Sequence, residues 1–211
     1  MRFLNLMLKQ LFDFLGSLFG LIIISPFILL ISISIKFTSK GPVFYTQERL
    51  GRNGKVFKII KFRTMVENAE NIGTGLFVRT GEDNRITKIG KFLRATSLDE
   101  IPQLFNVLFG QMSLVGPRPP VPYHPFKYND YNDKQRTRFK MKPGMTGLTQ
   151  VTVRNSVPWN DRILIDVQYI EEFNLWLDLK IIFKTFIKLF KNESIYTYNK
   201  VENPEKSSRI N

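Results

Sequence analysis

The sequence contains no cysteine and a single histidine, His124. A disulfide framework, a thiol nucleophile and a cysteine zinc site are therefore excluded, and one histidine cannot form a multi-histidine metal site within one chain. Several common nucleotide-binding and hydrolase motifs are also missing, namely the Walker loop, G-x-G-x-x-G, H-E-x-x-H and G-x-S-x-G. Any catalysis must therefore depend on carboxylates, hydroxyls, lysine or arginine.

Acidic residues are scarce relative to basic ones. The 211 residues include 31 Lys and Arg against 18 Asp and Glu, which gives a net charge of +13. An excess of this size predicts an anionic partner such as nucleic acid, phospholipid or a phosphorylated substrate, and charge alone does not choose among them. The length fits one domain with a core of its own.

The longest uncharged run extends over 22 residues, from Phe14 to Ile35. A helix needs about 20 apolar residues to cross a bilayer, and this run is longer than the apolar part of a secretory signal peptide. In its middle, Pro26 frees a backbone carbonyl that the Ser25 hydroxyl can help to satisfy. Pro26 divides the run into two helical arms, and each arm is long enough to reach across about one leaflet. If the helix bends there, both of its ends return to the same face of the membrane. The run predicts a membrane helix, either re-entrant or spanning.

Charged residues on both sides of this run bear on its topology. Residues 36–63 contain eight Lys and Arg and one Glu, a net charge of +7, and the short segment before the run has +1. A dense basic patch belongs on the cytoplasmic side, and two positive flanks favour re-entry slightly over spanning.

Near the other end of the chain, Phe173–Phe190 is amphipathic, which predicts an interfacial helix with an ordinary core helix as the alternative. Its lysine stripe consists of Lys180, Lys184 and Lys188.

A β-hairpin is predicted after the membrane segment. Val43–Leu50 and Val56–Met65 are rich in β-branched and aromatic residues, and an Asn-Gly turn signal stands between them. The second strand brings three cations close to the membrane: Lys58, Lys61 and Arg63. Such cations fit either a binding surface or a solvated edge strand.

Asp99 and Glu100 are neighbouring acids between two predicted helices. The helix before them, over residues 85–94, is basic and amphipathic, and the helix after them, over residues 101–109, is expected to be buried. Ser97 and Glu100 have the spacing of a capping box. That interpretation leaves Asp99 unexplained, and paired acids at a helix start also bind divalent cations. Both a capping role and a catalytic role are compatible with the residues alone.

Arg118 stands in the proline-rich segment Ser113–Pro120. Prolines hold an extended backbone at low entropy, which suits an arginine that presents its fork to a phosphate, whereas an exposed loop cation is the simpler interpretation. Residues 121–140 are expected to form a surface loop, and Met141–Gly147 a bend with two glycines.

Taken in order, these motifs resemble the bacterial sugar transferase family, the monotopic phosphoglycosyl transferases that begin polyprenol-linked glycan assembly. The resemblance covers residues from about 8 to 190 and rests on the Ser25-Pro26 break and on residues 41–65, 94–107, 112–119 and 142–147. The chain matches the short catalytic core, as in minimal members without extra membrane helices. One departure is that Leu148-Thr149 stand where many relatives have Trp-Ala. No contact made by that tryptophan is therefore carried over.

The resemblance implies a mostly helical α+β fold on the cytoplasmic face of the inner membrane. Residues 1–40 are expected to form a re-entrant membrane helix in a phospholipid bilayer. Residues 41–198 are expected to form a compact catalytic domain with a β-hairpin and interfacial helices, and residues 199–211 a disordered tail. This monotopic arrangement would hold the site at headgroup depth.

The resemblance also implies an activity, the transfer of a phosphosugar from a UDP-sugar to polyprenol (undecaprenyl) phosphate with release of UMP and with Mg²⁺ as cofactor. It implies that Asp99 is the nucleophile and a metal ligand, that a covalent phosphosugar intermediate forms, and that Glu100 is the partner acid or base. The cations implied to bind substrate are Lys61, Arg63, Arg94 and Arg118. The alternatives are a non-catalytic basic membrane scaffold and a membrane-anchored nucleic-acid binder. Because no nucleic-acid-binding motif is present, nucleic acid is not expected as a partner.

Overall fold

In the computed structural model, residues 2–72, 83–153 and 156–190 are described, so the expected tail over residues 199–211 lies outside the described residues. The helices are α1 (Arg2–Thr38), α2 (Lys88–Ala95), α3 (Gln103–Leu108), α4 (Asp133–Arg136), α5 (Leu148–Thr152), α6 (Trp159–Glu171) and α7 (Leu175–Phe190). The strands are β1 (Phe44–Leu50), β2 (Val56–Phe62), β3 (Ser113–Val115) and β4 (Gly144–Thr146). The fold is mostly helical α+β, as predicted, and the described residues form two small two-stranded sheets, of which the sequence predicted the hairpin.

The long N-terminal helix α1 is continuous through Pro26. Proline has no N–H to donate to the carbonyl four residues earlier, which is that of Ile22. The Ser25 hydroxyl donates to this same carbonyl at 2.9 Å, so the predicted use of a serine to satisfy the freed group is confirmed. The helix is long and apolar enough to cross a membrane, and most of its large apolar side chains are exposed.

Both ends of α1 pack against the rest of the chain. Near its N-terminus, Lys9 forms a buried ion pair with Asp178 of α7, with 2.6 Å between Nζ and Oδ2. Near its C-terminus, Ile35 is fully buried in a cluster with Phe62 and Leu93. The two ends of the apolar helix are thus attached to one folded unit.

The predicted hairpin is confirmed. Strands β1 and β2 are antiparallel, and the register runs from Phe44 opposite Phe62 to Leu50 opposite Val56. The turn contains Asn53 at φ 55° and Gly54 at φ 74°, the left-handed conformations that an Asn-Gly pair adopts readily. Side chains alternate along a strand and face the same side when directly opposite. Residues on one such side line a cavity: Tyr45, Gln47, Arg49 and Lys61.

The expectation that residues 121–140 form a surface loop was wrong. This stretch contains α4 and a short 3-10 helix over residues 137–140, and its Arg138 and Phe139 are buried. The reason is aromatic packing, since Tyr131 and Phe139 meet edge to face with 5.1 Å between ring centroids and cluster with buried residues of β1 and α6.

The bend expected over Met141–Gly147 contains strand β4, which pairs in parallel with β3. A Cβ atom on Gly144 would collide with the backbone nitrogen of Gly116, so the glycines permit the two segments to approach. Strand β3 is also tied to α1, because Asp13 Oδ1 accepts hydrogen bonds from Ser113 Oγ at 3.0 Å and from the Leu114 N–H at 2.9 Å.

Candidate active site

A cavity of about 1320 Å³ lies between the hairpin, the segment joining α2 to α3, and helices α5 to α7. The six predicted site residues all line it: Lys61, Arg63, Arg94, Asp99, Glu100 and Arg118. These residues come from four separate parts of the chain. The fold therefore brings the acids and the cations to one place.

The two acids lie on a short 3-10 turn, Leu98–Glu100, after the end of α2. The residue before it, Ser97, has φ 57° and its side chain makes no capping hydrogen bond. Left-handed backbone is unfavourable for a residue other than glycine, so strain sits directly beside the acids. The capping-box interpretation of Ser97 and Glu100 was therefore wrong, because the Glu100 side chain reaches a partner elsewhere.

That partner is Lys61 of β2. Its Nζ lies 2.6 Å from Glu100 Oε1, and an Arg118 terminal nitrogen lies 3.7 Å from the same oxygen. Burial by itself would raise the pKa of Glu100, but the charges of Lys61 and Arg118 and the hydrogen bond from Lys61 outweigh it and lower the pKa to about 2. Glu100 is therefore ionised at neutral pH and neutralised by its neighbours.

Asp99 has different surroundings. Its carboxylate accepts no hydrogen bond from the residues that the structure describes. Burial raises the pKa of Asp99 to about 6, and Glu100 adds to the rise while Lys61 opposes it. Two adjacent acids whose pKa values are displaced in opposite directions are typical of sites where the acids have different chemical roles.

Arg94 is held at the cavity wall by Thr64, whose Oγ1 accepts a hydrogen bond from Arg94 Nε at 2.8 Å. A Cβ atom on Gly90 of α2 would collide with the Thr64 carbonyl oxygen, so glycine permits this approach. The α2 helix begins at a cap in which Thr87 Oγ1 accepts from the Gly90 N–H at 3.0 Å. The bond through Nε leaves the two terminal NH₂ groups of Arg94 for a ligand.

Arg118 lies in the segment over residues 117–120, in which every main-chain carbonyl accepts a hydrogen bond. The carbonyl oxygens of Pro117, Arg118, Pro119 and Pro120 accept hydrogen bonds from Gly144 N, Arg138 Nη2, Arg49 Nη1 and Leu50 N, at 3.0, 2.9, 3.1 and 2.9 Å respectively. The predicted stiff proline frame is confirmed. The Arg118 side chain itself is 48% exposed and extends into the cavity.

Arg63 differs from the other predicted cations because its guanidinium binds the main chain. One terminal nitrogen donates to the Ser39 carbonyl and hydroxyl, both at 2.9 Å, and the other donates to the Lys40 carbonyl. Arg63 thereby holds the segment that leaves α1. Its contact with a substrate phosphate stays a prediction, and these bonds already use both terminal nitrogens.

The motifs did not identify two parts of this site. Arg49 of β1 lines the cavity, where burial and the charge of Arg118 lower its pKa to about 10. Strand alternation could have placed Arg49 on the side of Tyr45, which is opposite Lys61. Asp166 of α6 forms a nearly fully buried ion pair with Arg138, with 2.6 Å between the paired atoms. No local pattern links those two positions.

Leu148 and Thr149, which depart from the Trp-Ala of many relatives, both have contacts in this structure. The Thr149 hydroxyl donates to Asp166 Oδ1 at 2.6 Å and is itself buried. An alanine at this position could not make that bond. Leu148 packs partly buried beside the core that contains Val151 and Ile170.

Metal binding at this site can be judged from the donor groups. Within residues 2–72, 83–153 and 156–190, no three or more histidine and carboxylate side chains come close enough to hold a metal ion. Magnesium, however, is commonly bound by one or two carboxylates together with phosphate oxygens of a substrate. The Asp99 carboxylate, which accepts no hydrogen bond from residues 2–72, 83–153 and 156–190, fits that shared mode of binding.

The cavity also has an apolar part. It is lined by residues of α1, α3 and α7, among them Gly16, Ile24, Leu104, Ile182 and Phe186. Helix α7 also has an exposed apolar side, where Trp176 is 65% and Phe183 67% exposed. Lys180 Nζ lies 5.5 Å from the centroid of the Trp176 ring. This combination of exposed lysine and aromatic side chains is typical of helices that lie at a membrane surface.

Comparison with known proteins gives consistent matches along the chain. Residues 4–192 match the family model described as bacterial sugar transferase. The chain is 46% identical over 200 residues to the UDP-glucose:undecaprenyl-phosphate glucose-1-phosphate transferase of Klebsiella pneumoniae, covering 92% of this chain and 42% of that protein. It is 42% identical over 203 residues to the undecaprenyl-phosphate galactose phosphotransferase of Salmonella typhimurium, covering 90% of this chain and 42% of that protein.

A shorter relative matches along nearly its whole length. The chain is 39% identical over 197 residues to the uncharacterized sugar transferase EpsL of Bacillus subtilis, covering 93% of this chain and 94% of that protein. The chain thus spans about two fifths of the Klebsiella and Salmonella proteins and almost all of EpsL.

Proposed function

The chain belongs to the bacterial sugar transferase family, and on that premise we propose that it transfers a sugar 1-phosphate from a UDP-sugar to undecaprenyl phosphate and releases UMP. The Klebsiella and Salmonella relatives are named for transfer to undecaprenyl phosphate. The observation that carries the proposal is one cavity that is lined by acids and cations and also by apolar side chains. A nucleotide donor needs charged residues that bind its phosphates, and a lipid phosphate needs both charged and apolar residues.

In the proposed reaction Asp99 is the nucleophile. A carboxylate oxygen of Asp99 attacks the phosphorus that carries the sugar, the bond from this phosphorus to the bridging oxygen breaks, and UMP leaves with that oxygen. An oxygen of undecaprenyl phosphate then attacks the same phosphorus and releases the Asp99 carboxylate. Support comes from the lack of a hydrogen bond to Asp99 within the described part of the chain and from its raised pKa, which makes the carboxylate more basic.

The cations of the site oppose charge repulsion in this step. A carboxylate that attacks a diphosphate meets like charge, and positioned cations stabilise the charge that develops. Lys61, Arg94 and Arg118 line the cavity around Asp99 and are assigned this role. Magnesium, when bound by Asp99 and the donor phosphates, would supply further neutralisation and polarise the phosphorus.

Glu100 is proposed to position the cations. Its pKa near 2 makes it a poor proton acceptor at neutral pH, which argues against the role of partner acid or base. The 2.6 Å contact with Lys61 and the proximity of Arg118 instead favour a carboxylate that orients both side chains toward the donor phosphates.

We further propose that α1 is re-entrant and that the domain sits on the cytoplasmic face of the inner membrane. A spanning helix would leave its first residues on the far side of the bilayer from the domain. The buried pair between Lys9 and Asp178 and the burial of Ile35 attach both ends of α1 to the same domain, which supports a return to one side. The exposed apolar side of α7 would lie at the interface.

The activity is tested by incubating the purified chain with undecaprenyl phosphate, Mg²⁺ and each member of a panel of UDP-sugars while UMP is measured. At least one donor should give UMP, and Asp99→Asn should give none with the same donor. Absence of UMP with every donor would contradict the proposal and favour a non-catalytic membrane scaffold.

A further inference from the structure

Gln150 has an unusual environment in the cavity wall. Both polar atoms of its side chain, Nε2 and Oε1, are buried, and neither has a hydrogen-bond partner in the described part of the chain. A buried amide without partners is unfavourable, and such groups in native proteins call for an explanation. Gln150 lines the same cavity as Asp99, Arg94 and Arg118.

Several other polar side chains of the cavity lining are paired with one another. The two oxygens of Asp166 accept from Thr149 Oγ1 and from Arg138 Nη2, each at 2.6 Å. The hydroxyls of Thr146 and Thr185 lie 2.7 Å apart and form a hydrogen bond. The Gln150 amide is left without a hydrogen-bond partner among the described residues, as are Nε and Nη1 of Arg138, whose terminal Nη2 is paired.

The backbone beside Gln150 is linked to the backbone of Arg118 by a series of hydrogen bonds. The neighbour of Gln150 on α5, Thr149, is bound to Asp166, and Asp166 is bound to Arg138. Arg138 in turn donates to the carbonyl oxygen of Arg118 at 2.9 Å. The side chains of this series are almost fully buried, so they connect the backbone of α5 beside Gln150 to the backbone that carries Arg118.

The chemistry of an amide defines its complement. Gln150 offers an N–H₂ donor and a carbonyl acceptor side by side and carries no charge. It therefore suits a neutral group that presents an acceptor beside a donor, and it is a poor partner for a diphosphate. A UDP-sugar has two such parts, the imide edge of uracil and the hydroxyl or acetamido groups of the sugar.

Trp159 supports the same assignment. It lines the cavity from α6 and is partly buried, and the Arg162 guanidinium carbon lies 5.0 Å from its ring centroid. Aromatic faces bind the flat rings of bases and the apolar faces of sugars. An amide with unused hydrogen bonds and an aromatic side chain thus occur in one cavity.

We propose that Gln150 is a specificity-determining residue that binds the neutral part of the nucleotide-sugar donor through paired hydrogen bonds. This inference rests on the proposed function, and it divides the donor between two sets of residues. Lys61, Arg94 and Arg118 bind the diphosphate, while Gln150 binds the uracil ring or the sugar.

The test compares Gln150→Met with the wild type and with Gln168→Met. Methionine has nearly the length of glutamine but forms no strong hydrogen bonds, so the variant should unfold at the same or a higher temperature. Gln168 is a matched control because its exposed amide donates to Glu172 on α6, away from the cavity lining. We measure kcat and KM for the UDP-sugar, KM for undecaprenyl phosphate and the inhibition constant of UMP.

For Gln150→Met we expect KM for the donor to rise about 10- to 100-fold, the effect of losing two neutral hydrogen bonds, with KM for the acceptor unchanged. A parallel rise in the UMP inhibition constant assigns the contact to uracil, whereas an unchanged constant assigns it to the sugar. An active wild type with an unchanged donor KM in Gln150→Met would overturn this inference alone. A wild type inactive with every UDP-sugar would overturn the proposed function and this inference with it.

Discussion

Lys61 Nζ lies 2.6 Å from Glu100 Oε1, whereas the adjacent Asp99 carboxylate accepts no hydrogen bond from the described residues. Two acids that are neighbours in sequence therefore differ in charge environment. Glu100 is neutralised by a lysine, and Asp99 is left as the carboxylate available to react. This difference supports the proposal that Asp99 is the nucleophile.

The pairing of Lys61 with Glu100 predicts that Lys61 is essential, while the lysine three residues before it, Lys58, is not. Lys61→Met removes the principal counter-charge of Glu100 and a phosphate-binding group, so kcat/KM for the donor should fall about 100-fold or more. Lys58→Met is the matched control, since Lys58 is exposed on the opposite side of the same strand. Equal donor kinetics in the two variants would contradict the role of Lys61.

Asp99→Asn is predicted to stabilise the metal-free protein at pH 8 by about 3 kcal/mol. The pKa of Asp99 is raised from 3.8 to about 6 in the folded protein. Above pH 6 the ionised carboxylate is therefore less stable in the folded state than in the unfolded state, which lowers the free energy of unfolding of the wild type. The gain should be complete above about pH 6, decrease as the wild-type carboxyl takes up its proton, and vanish below about pH 4. Unfolding measured with a chelator across this range checks it, and a gain that does not depend on pH would contradict the cause given.

Ser97 provides a test of the strained backbone before the acids. Ser97→Gly should leave the free energy of unfolding unchanged or raise it by about 0.5–1 kcal/mol, because glycine adopts φ 57° without strain. Ser97→Val should lower it by about 1 kcal/mol or more. If Ser97 instead capped a helix with its side chain, both substitutions would destabilise the protein.

The topology of α1 can be tested cleanly because the chain has no native cysteine. Single variants Arg2→Cys and Lys40→Cys place one thiol at each end of the helix. In inside-out membrane vesicles, both should react with a membrane-impermeant maleimide, as expected for a re-entrant helix. Labelling of the two positions from opposite faces would rule out re-entry.

Local patterns predicted part of the fold but little of the site. The Asn53-Gly54 turn and the serine that satisfies the carbonyl freed by Pro26 are effects of neighbouring residues, and the sequence was sufficient for both. The pairing of Glu100 with Lys61 depends on a hairpin 39 residues earlier in the chain, so local spacing favoured a capping box instead. The buried pair of Arg138 and Asp166 likewise arises from tertiary packing, which a loop prediction could not include.

The most direct test of the central claim is the intact mass of the purified chain after incubation with a reactive UDP-sugar and Mg²⁺ in the absence of acceptor. The account predicts a mass increase equal to one phosphosugar, an equal amount of UMP, attachment at Asp99, and loss of the adduct when undecaprenyl phosphate is added. Formation of UMP only when acceptor is present, with no adduct at any time, would contradict a covalent intermediate on Asp99.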